Sequence, residues 1–288
     1  MKPQSNRRTA ALYIVAAASL CGLANTHAAT CALVPSGRAH IEEVQRASLL
    51  GEMKFAELEK DLAKLHKKNM AAEGGDLLTM RDMQNLQRLS GQEEKLVRMW
   101  AQERPESFFA QLNAAAFYVD QAFFARGPKA STGVSRNQWS NARKIREVAV
   151  GYAKKAMALD ARSALPQAAL IGLAAIDGKA DGRTPGEWLQ SANEVDPINM
   201  AARVMATTYL SPRWGGSFEQ LDQMATQAAR TLPAATAHYL RYNVVMAKAS
   251  HYEVMEKDNT KAQGLYKQAR DMCENSETAR EGFVRTYR

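Results

Sequence analysis

The residues of this chain with the clearest capacity for chemistry lie in one irregular stretch, 210–217, which reads Leu-Ser-Pro-Arg-Trp-Gly-Gly-Ser. Arginine and tryptophan are favoured at binding hot spots, so Arg213 and Trp214 are candidates to hold a ligand. Trp214 could instead pack across a helical hairpin. Ser217 would act as a nucleophile only beside a general base, and no histidine lies near it in the sequence. The chemistry predicted here is therefore binding, not covalent catalysis.

The same stretch also has a structural interpretation, which the sequence favours. Residues 217–220, Ser-Phe-Glu-Gln, match a capping box, in which the serine and the glutamine satisfy free amides of the first helical turn. Pro212 ends the preceding helix, because proline cannot donate to the helical ladder. Gly215 and Gly216 allow positive φ angles in the approach to the next helix. Arg213 is the residue of the stretch that geometry leaves unexplained.

Other catalytic and metal-binding patterns are missing from the sequence. No histidine pairs with a cysteine or another histidine at ligand spacing, and no Cys-x-x-Cys occurs. Phosphate-binding glycine loops and the Gly-x-Ser-x-Gly nucleophile motif are also absent. Neighbouring carboxylates such as Glu42-Glu43 and Glu93-Glu94 would point away from each other on a helix, which predicts a surface position. We therefore expect no metal and no cofactor.

The composition predicts an all-α protein. Alanine, leucine, methionine, glutamine, glutamate, lysine and arginine are abundant, and these residues lose little side-chain freedom in a helix. Only nine prolines and 17 glycines interrupt the 288 residues, and short β-branched runs between turns are nearly absent. The length suits one large domain or two small ones.

The first 29 residues match a bacterial secretory signal peptide of the Sec type. A positively charged start is followed by an apolar run over 10–24 and by small residues at positions 26 and 28. The apolar run is shorter than a typical membrane span, which favours a cleaved signal over a retained anchor. We expect a periplasmic or secreted protein that has no integral membrane segment after the signal is removed.

The charge pattern argues against nucleic acid as a partner. The formal net charge is +8, and loss of the three basic residues of the leader would reduce it to roughly +5. Acidic and basic residues are interleaved, as in Glu57-Leu-Glu-Lys-Asp61, instead of forming a basic stripe. Nucleic-acid binding needs clustered positive charge. We therefore expect a solvated helix surface and no nucleic-acid partner.

Two cysteines, Cys31 and Cys273, would remain after signal cleavage. An oxidising compartment would permit a disulfide between them. Closing a loop of roughly 240 residues would stabilise the fold by on the order of 5 kcal/mol in the chain-entropy model. The alternative is two free or buried thiols, because the sequence does not fix the distance that disulfide geometry requires.

The rest of the chain is predicted to form a single helical-repeat domain over 38–287, after an irregular lead-in over 30–37. Apolar residues recur at three- and four-residue intervals along it. Its first part, 38–134, would consist of N-terminal hairpins. It includes a strongly apolar, aromatic helix over 106–126, which is typical of a core element. The aromatic cluster could alternatively line a ligand pocket.

The second part, 135–287, carries repeat-like hairpins. Ala156, Ala192 and Ala228 mark a repeat of about 36 residues, and each lies in the last turn of a predicted helix. A small residue at this place lets neighbouring helices approach closely. The helices that follow are predicted to begin near residues 163, 198 and 234. A period in the mid-thirties is typical of a tetratricopeptide-like α-solenoid, although no unit carries the full set of signature residues.

Three motifs resemble those of the bacterial family of unknown function numbered 4034. They are Leu49-Leu-Gly51 with the residues up to Glu59, Pro105-x-Ser107 in the helix that ends in Arg126-Gly127, and the stretch 210–217. The resemblance covers about residues 45–250 of the chain. It implies a helical, tetratricopeptide-like domain and no established reaction.

We expect an exported scaffold that binds a protein or peptide, because stacked hairpins create an extended concave surface. A narrower hypothesis is an immunity or accessory protein for one secreted partner. The alternative is an enzyme that acts on cell-envelope polymers with carboxylates assembled only in three dimensions, since a fold does not determine a function. Two carboxylates facing each other across a deep cleft would favour the enzyme, whereas an open groove lined by Tyr, Asn and Arg would favour binding.

Overall fold

The computed structural model describes residues 39–89, 91, 93–129, 131–274 and 276–287. These residues form thirteen α-helices and no strand, which confirms the all-α prediction. The helices are α1 Ala39–Gly51, α2 Phe55–Met70, α3 Gly75–Leu89, α4 Glu94–Glu103, α5 Phe108–Arg126, α6 Arg136–Leu159, α7 Leu165–Asp177, α8 Pro185–Val195, α9 Ala201–Tyr209, α10 Phe218–Ala228, α11 Ala234–His251, α12 Asn259–Met272 and α13 Glu277–Thr286. Not one of these helices has the length and apolar character needed to cross a membrane. The predicted signal peptide and the lead-in over 30–37 lie outside the described residues.

Local capping determines where several helices begin. Three of them start with complete capping boxes: Ser217 with Gln220, as the sequence predicts, and also Ser135 with Gln138 and Thr184 with Glu187. In each box the hydroxyl oxygen accepts a hydrogen bond from the third helical amide, and the third side chain accepts one from the cap amide. One such cap stabilises a helix by about 1 kcal/mol, which is enough to fix the starts of α6, α8 and α10.

The repeat region consists of four helical hairpins: α5–α6, α7–α8, α9–α10 and α11–α12. The first helices of the hairpins pack side by side, in the order α5, α7, α9 and α11. Each second helix also packs on the first helix of the next hairpin. This arrangement is a solenoid-like stack. We refer to α5, α7, α9 and α11 as the first-helix layer.

The small residues of the repeat have the role that the sequence predicts. Ala156, Ala192 and Ala228 lie in the last turns of α6, α8 and α10, and all three are buried against neighbouring helices. The helices that follow begin at Leu165 and Ala201, slightly later than predicted, and at Ala234 as predicted. The delay has a physical cause. The side chains of Asp160 and Asp196 accept hydrogen bonds from the amides of Arg162 and Ile198, and these turns precede the first two helices.

The centre of the stack is formed by α5 and α7. Almost every residue of α7 is buried, because its alanines, leucines and isoleucines surround the whole helix. In α5 the rings of Phe117 and Tyr118 are buried, which confirms the prediction of a core helix. Phe124, in the last turn of α5, is instead exposed.

The N-terminal helix α3 lies across the first-helix layer and contacts both α5 and α9. At one end of α3, the buried carboxylate of Asp76 accepts hydrogen bonds from the amides of Met200 and Ala201, at 2.8 and 2.7 Å. At the other end, Gln87 Nε2 donates to the carbonyl and side-chain oxygens of Asn113 in α5, at 2.8 and 3.2 Å. The chain therefore covers part of its own helical layer.

Asp76 caps the N-terminus of α9, which has no capping side chain of its own. The residue at the start of α9, Met200, makes no side-chain capping bond of its own. The first amides of a helix have no intrahelical acceptor and need one from elsewhere. Asp76 supplies it from a position 124 residues earlier in the chain. Burial raises the pKa of Asp76, whereas the hydrogen bonds from the amides oppose that rise.

Cys273 follows the last turn of α12, is buried and is disulfide-bonded. Its predicted partner, Cys31, lies outside the described residues, so the pairing Cys31–Cys273 stays a prediction. Peptide mapping of the mature protein without reductant tests it, since a linked pair of peptides is expected and two separately alkylated cysteines would contradict it.

Substitution Asp76→Ala should lower the free energy of unfolding by about 3 kcal/mol, because it leaves two buried amides of α9 without an acceptor. Urea unfolding followed by far-ultraviolet circular dichroism measures this loss.

The matched control is Asp258→Ala. Asp258 caps α12 through the amide of Lys261, at 3.0 Å, and this cap joins residues that are close in sequence. Its loss should cost about 1 kcal/mol, as for an ordinary helix cap. Equal losses in the two variants would contradict the special role of Asp76.

Candidate functional site

Three aromatic rings meet where α5 and α9 end. The stretch after α9 forms a short 3-10 helix, Pro212–Trp214. The ring of Trp214 contacts Phe123 and Tyr209 edge-on, with centroids 5.3 and 5.5 Å away. Phe123 and Tyr209 stack on each other at 5.4 Å. Trp214 therefore joins α9 to α5 and reaches beyond its own hairpin, further than the sequence predicts.

Guanidinium and indole groups alternate along this edge of the molecule. The guanidinium of Arg126 lies between two indoles, 4.8 Å from Trp214 and 5.2 Å from Trp139. Arg213 lies over Trp214 at 5.6 Å, and Arg143 lies over Trp139 at 5.8 Å. We call these five residues the arginine–tryptophan ladder. Contacts of this kind are worth about 0.5–2 kcal/mol each, depending on solvent exposure.

Arg126 occupies the middle of the ladder because α5 ends there. Its Nη1 atom donates to the carbonyl oxygens of Gly127 and Lys129, at 3.1 and 3.0 Å. A positive charge at a helix C-terminus is stabilised by the carbonyl groups that point out of it. Burial, and then the charge of Arg213, lower the pKa of Arg126. The burial is nearly complete, with 5% of the residue exposed.

The outer members of the ladder differ in their support. Arg143 is exposed and makes a forked pair with Asp177 at the end of α7, with N–O distances of 2.8 and 3.0 Å. These bonds lower the pKa of Asp177. Arg213 is half-buried, and its Nη2 atom donates a long bond of 3.4 Å to the carbonyl of Pro128.

The glycines after Trp214 are required for two different reasons. Gly215 has a φ of 88°, in the left-handed region where glycine is favoured. Gly216 does not share the predicted positive φ. A Cβ atom on Gly216 would lie 1.9 Å from the carbonyl oxygen of Leu210, so this position needs glycine for lack of space. Pro212 begins the 3-10 helix, and Ser217 caps α10.

A carboxylate lies beside the aromatic cluster. Asp120 is on α5, one turn before Phe123 and Phe124, and it is half-buried. It makes no hydrogen bond or ion pair with any residue that the structure describes. Burial raises its pKa to about 6. The negative charge of Asp120 adds to burial in raising the pKa of Tyr209, so the two groups are within electrostatic reach.

Two carboxylates, Asp76 and Asp196, lie near the start of α9, and both have structural roles there. Asp76 and Asp196 repel each other electrostatically. Asp76 accepts the α9 amides, and Asp196 accepts a bond from the amide of Ile198 at 3.0 Å. Among the described residues, no group of three or more His, Cys, Asp or Glu side chains could hold a metal ion.

The sequence indicates one end of the ladder and gives little indication of the rest. The stretch 210–217 drew attention to Arg213 and Trp214, and the structure places both on the edge. Arg126, Trp139 and Arg143 of the ladder, and Asp120 beside it, were missed as members of a site. The available signal was weak: an arginine ending an aromatic helix and a tryptophan in the first turns of the next helix.

Comparison with known protein families bears on the same part of the chain. The model of a domain of unknown function, DUF4034, matches residues 42–181. This segment belongs to the DUF4034 family. The DUF4034 segment contains Asp120, Arg126, Trp139 and Arg143, and it ends before the stretch 210–217. No curated protein and no solved structure shows a significant match to the chain.

Substitution Asp120→Asn should remove a pH-dependent part of the stability. Since the pKa of Asp120 is about 6 in the folded protein and 3.8 ordinarily, ionisation is harder in the folded state. The contribution of Asp120 to stability is therefore complete below about pH 4 and lost as pH rises to about 6. At about pH 7 the variant should be more stable than the wild type by about 1–3 kcal/mol, and at about pH 4 the two should agree.

Urea midpoints at the two pH values measure this difference. The control is Asp271→Asn, which changes an exposed carboxylate on α12. A stability difference between Asp120→Asn and the wild type that is the same at both pH values would contradict the argument.

Proposed function

We propose that this protein is an exported helical scaffold that binds a protein or peptide partner, and that the arginine–tryptophan ladder is part of the binding surface. The ladder carries the proposal. It presents two half-buried indoles and two outer arginines on one edge, and these residue types dominate the energetics of protein interfaces.

The position of α3 favours the edge that carries the ladder, instead of the concave face of the stack, as the binding surface. A solenoid-like stack commonly binds partners along its concave surface. In this protein α3 contacts α5 and α9 and covers part of the first-helix layer. The C-terminal ends of α5 and α9 lie at the ladder, where Arg213 and Trp214 remain partly accessible.

The preformed geometry of the ladder also supports binding. Arg126 is held between two indoles and by two carbonyl oxygens. Arg126 and the two indoles therefore lose little conformational freedom when a partner binds. Low ordering cost raises affinity for a given contact area. Because Arg143 is already paired with Asp177, Arg213 is the outer guanidinium that we expect to contact a carboxylate of the partner.

Export is the second part of the proposal. It is supported by the charged, apolar and small-residue segments of the first 29 residues. A disulfide at Cys273 suits an oxidising compartment such as the bacterial periplasm. N-terminal sequencing of the protein from the periplasmic fraction is expected to begin near residue 29. An intact N-terminus in the cytoplasmic fraction would contradict export.

Substitution Arg213→Glu should abolish partner capture while leaving the fold intact. The change reverses the charge at the outer end of the ladder, where Arg213 is half-buried, lies over Trp214 and donates a long hydrogen bond to Pro128, so the free energy of unfolding should fall by about 2 kcal/mol or less. Affinity capture from periplasmic extract with quantitative mass spectrometry measures the effect. A partner retained by the wild type should fall at least about tenfold.

The matched control is Arg241→Glu, which makes the same charge reversal at an exposed position of α11 away from the ladder. It should retain the partner. Equal capture by all three proteins would contradict a role for the ladder, and a wild type that retains no partner at any salt concentration would contradict the scaffold function.

A further inference from the structure

We propose that Asp120, together with Phe124, receives a cationic side chain of the partner, the ammonium of a lysine or the guanidinium of an arginine. This inference rests on the proposed scaffold function and names the chemistry that the partner must offer beside the ladder. Asp120 is not a member of the ladder.

The first observation is the lack of a protein partner for Asp120. Two other carboxylates of the hairpins are paired: Asp177 with Arg143 at 2.8 Å, and Asp222 with Lys248 at 2.7 Å. Asp120 has no such ion pair or hydrogen bond in the described part of the chain. A poorly hydrated carboxylate without a partner is unfavourable, and a bound cation relieves that cost.

The second observation is the aromatic surroundings. Phe124 follows Asp120 by one helical turn, so the two side chains share one face of α5. The ring of Phe124 is 69% exposed, although it belongs to a residue type that normally packs inside. The neighbouring Phe123 stacks on the buried ring of Tyr209. A carboxylate beside an exposed aromatic ring is suited to a cation, because the face of the ring attracts positive charge.

The third observation is that charges of both signs lie near Tyr209. Tyr209 is within electrostatic reach of both Asp120 and Arg213. This part of the molecule therefore carries a negative and a positive group near one aromatic residue. A partner segment with both a basic and an acidic side chain would match both groups. Such complementarity selects against partners of a single charge sign.

Small cations test the site without any knowledge of the partner. The probes are n-butylammonium and n-butylguanidinium chloride, with 1-butanol as a neutral control. Titration into the isotopically labelled mature protein is followed by NMR at the amides of Asp120, Phe123 and Phe124. We expect saturable shifts with dissociation constants of roughly 1–10 mM for the cations, and no saturable shift with 1-butanol.

Asp120→Asn should weaken cation binding at least tenfold, and Asp271→Asn should leave it unchanged. Phe124→Ala replaces an exposed ring without threatening the fold, and it should weaken binding about threefold. Cation binding that is unaffected by both Asp120→Asn and Phe124→Ala, or equal shifts with 1-butanol, would overturn the proposal. The experiment contains no partner, so its outcome is independent of the capture experiment with Arg213→Glu.

Discussion

The hydrogen bonds that Asp76 accepts from the amides at the start of α9 are the constraint on which the arrangement of this protein depends. They join two parts of the chain that are far apart in sequence, and they do so at a helix terminus that has no local cap. Because the amides are buried, leaving them without an acceptor would cost more than an ordinary cap contributes. The carboxylate thereby fixes α3 on the helical layer.

The position of α3 in turn determines which surfaces remain for a partner. With α3 on α5 and α9, the first-helix layer is partly covered by the chain itself. The edge at the ends of α5 and α9 is organised differently. There, buried Arg126 packs between the two indoles, and these contacts support the more accessible side chains of Arg143 and Arg213. The same contacts that terminate α5 thus prepare a surface for binding.

Features that depend on neighbouring residues could be predicted from the sequence. The capping boxes and the buried alanines of the repeat follow from spacing alone, because a helix brings residues a few positions apart onto one turn. Asp76 could not be recognised, since an acidic residue in the first turn of a helix is ordinarily explained by that helix. The sandwich around Arg126 combines three separate segments. The close approach at Gly216 depends on where the carbonyl of Leu210 lies.

Hydrogen exchange at the amides of Met200 and Ala201 tests the central constraint most directly. The first amides of a helix have no acceptor within it, so strong protection there must come from another part of the molecule. If Asp76 holds them as described, both should exchange at least about a thousandfold more slowly than in an unfolded chain, close to amides in the interior of α9. Exchange as fast as at a freely exposed helix start would contradict the account.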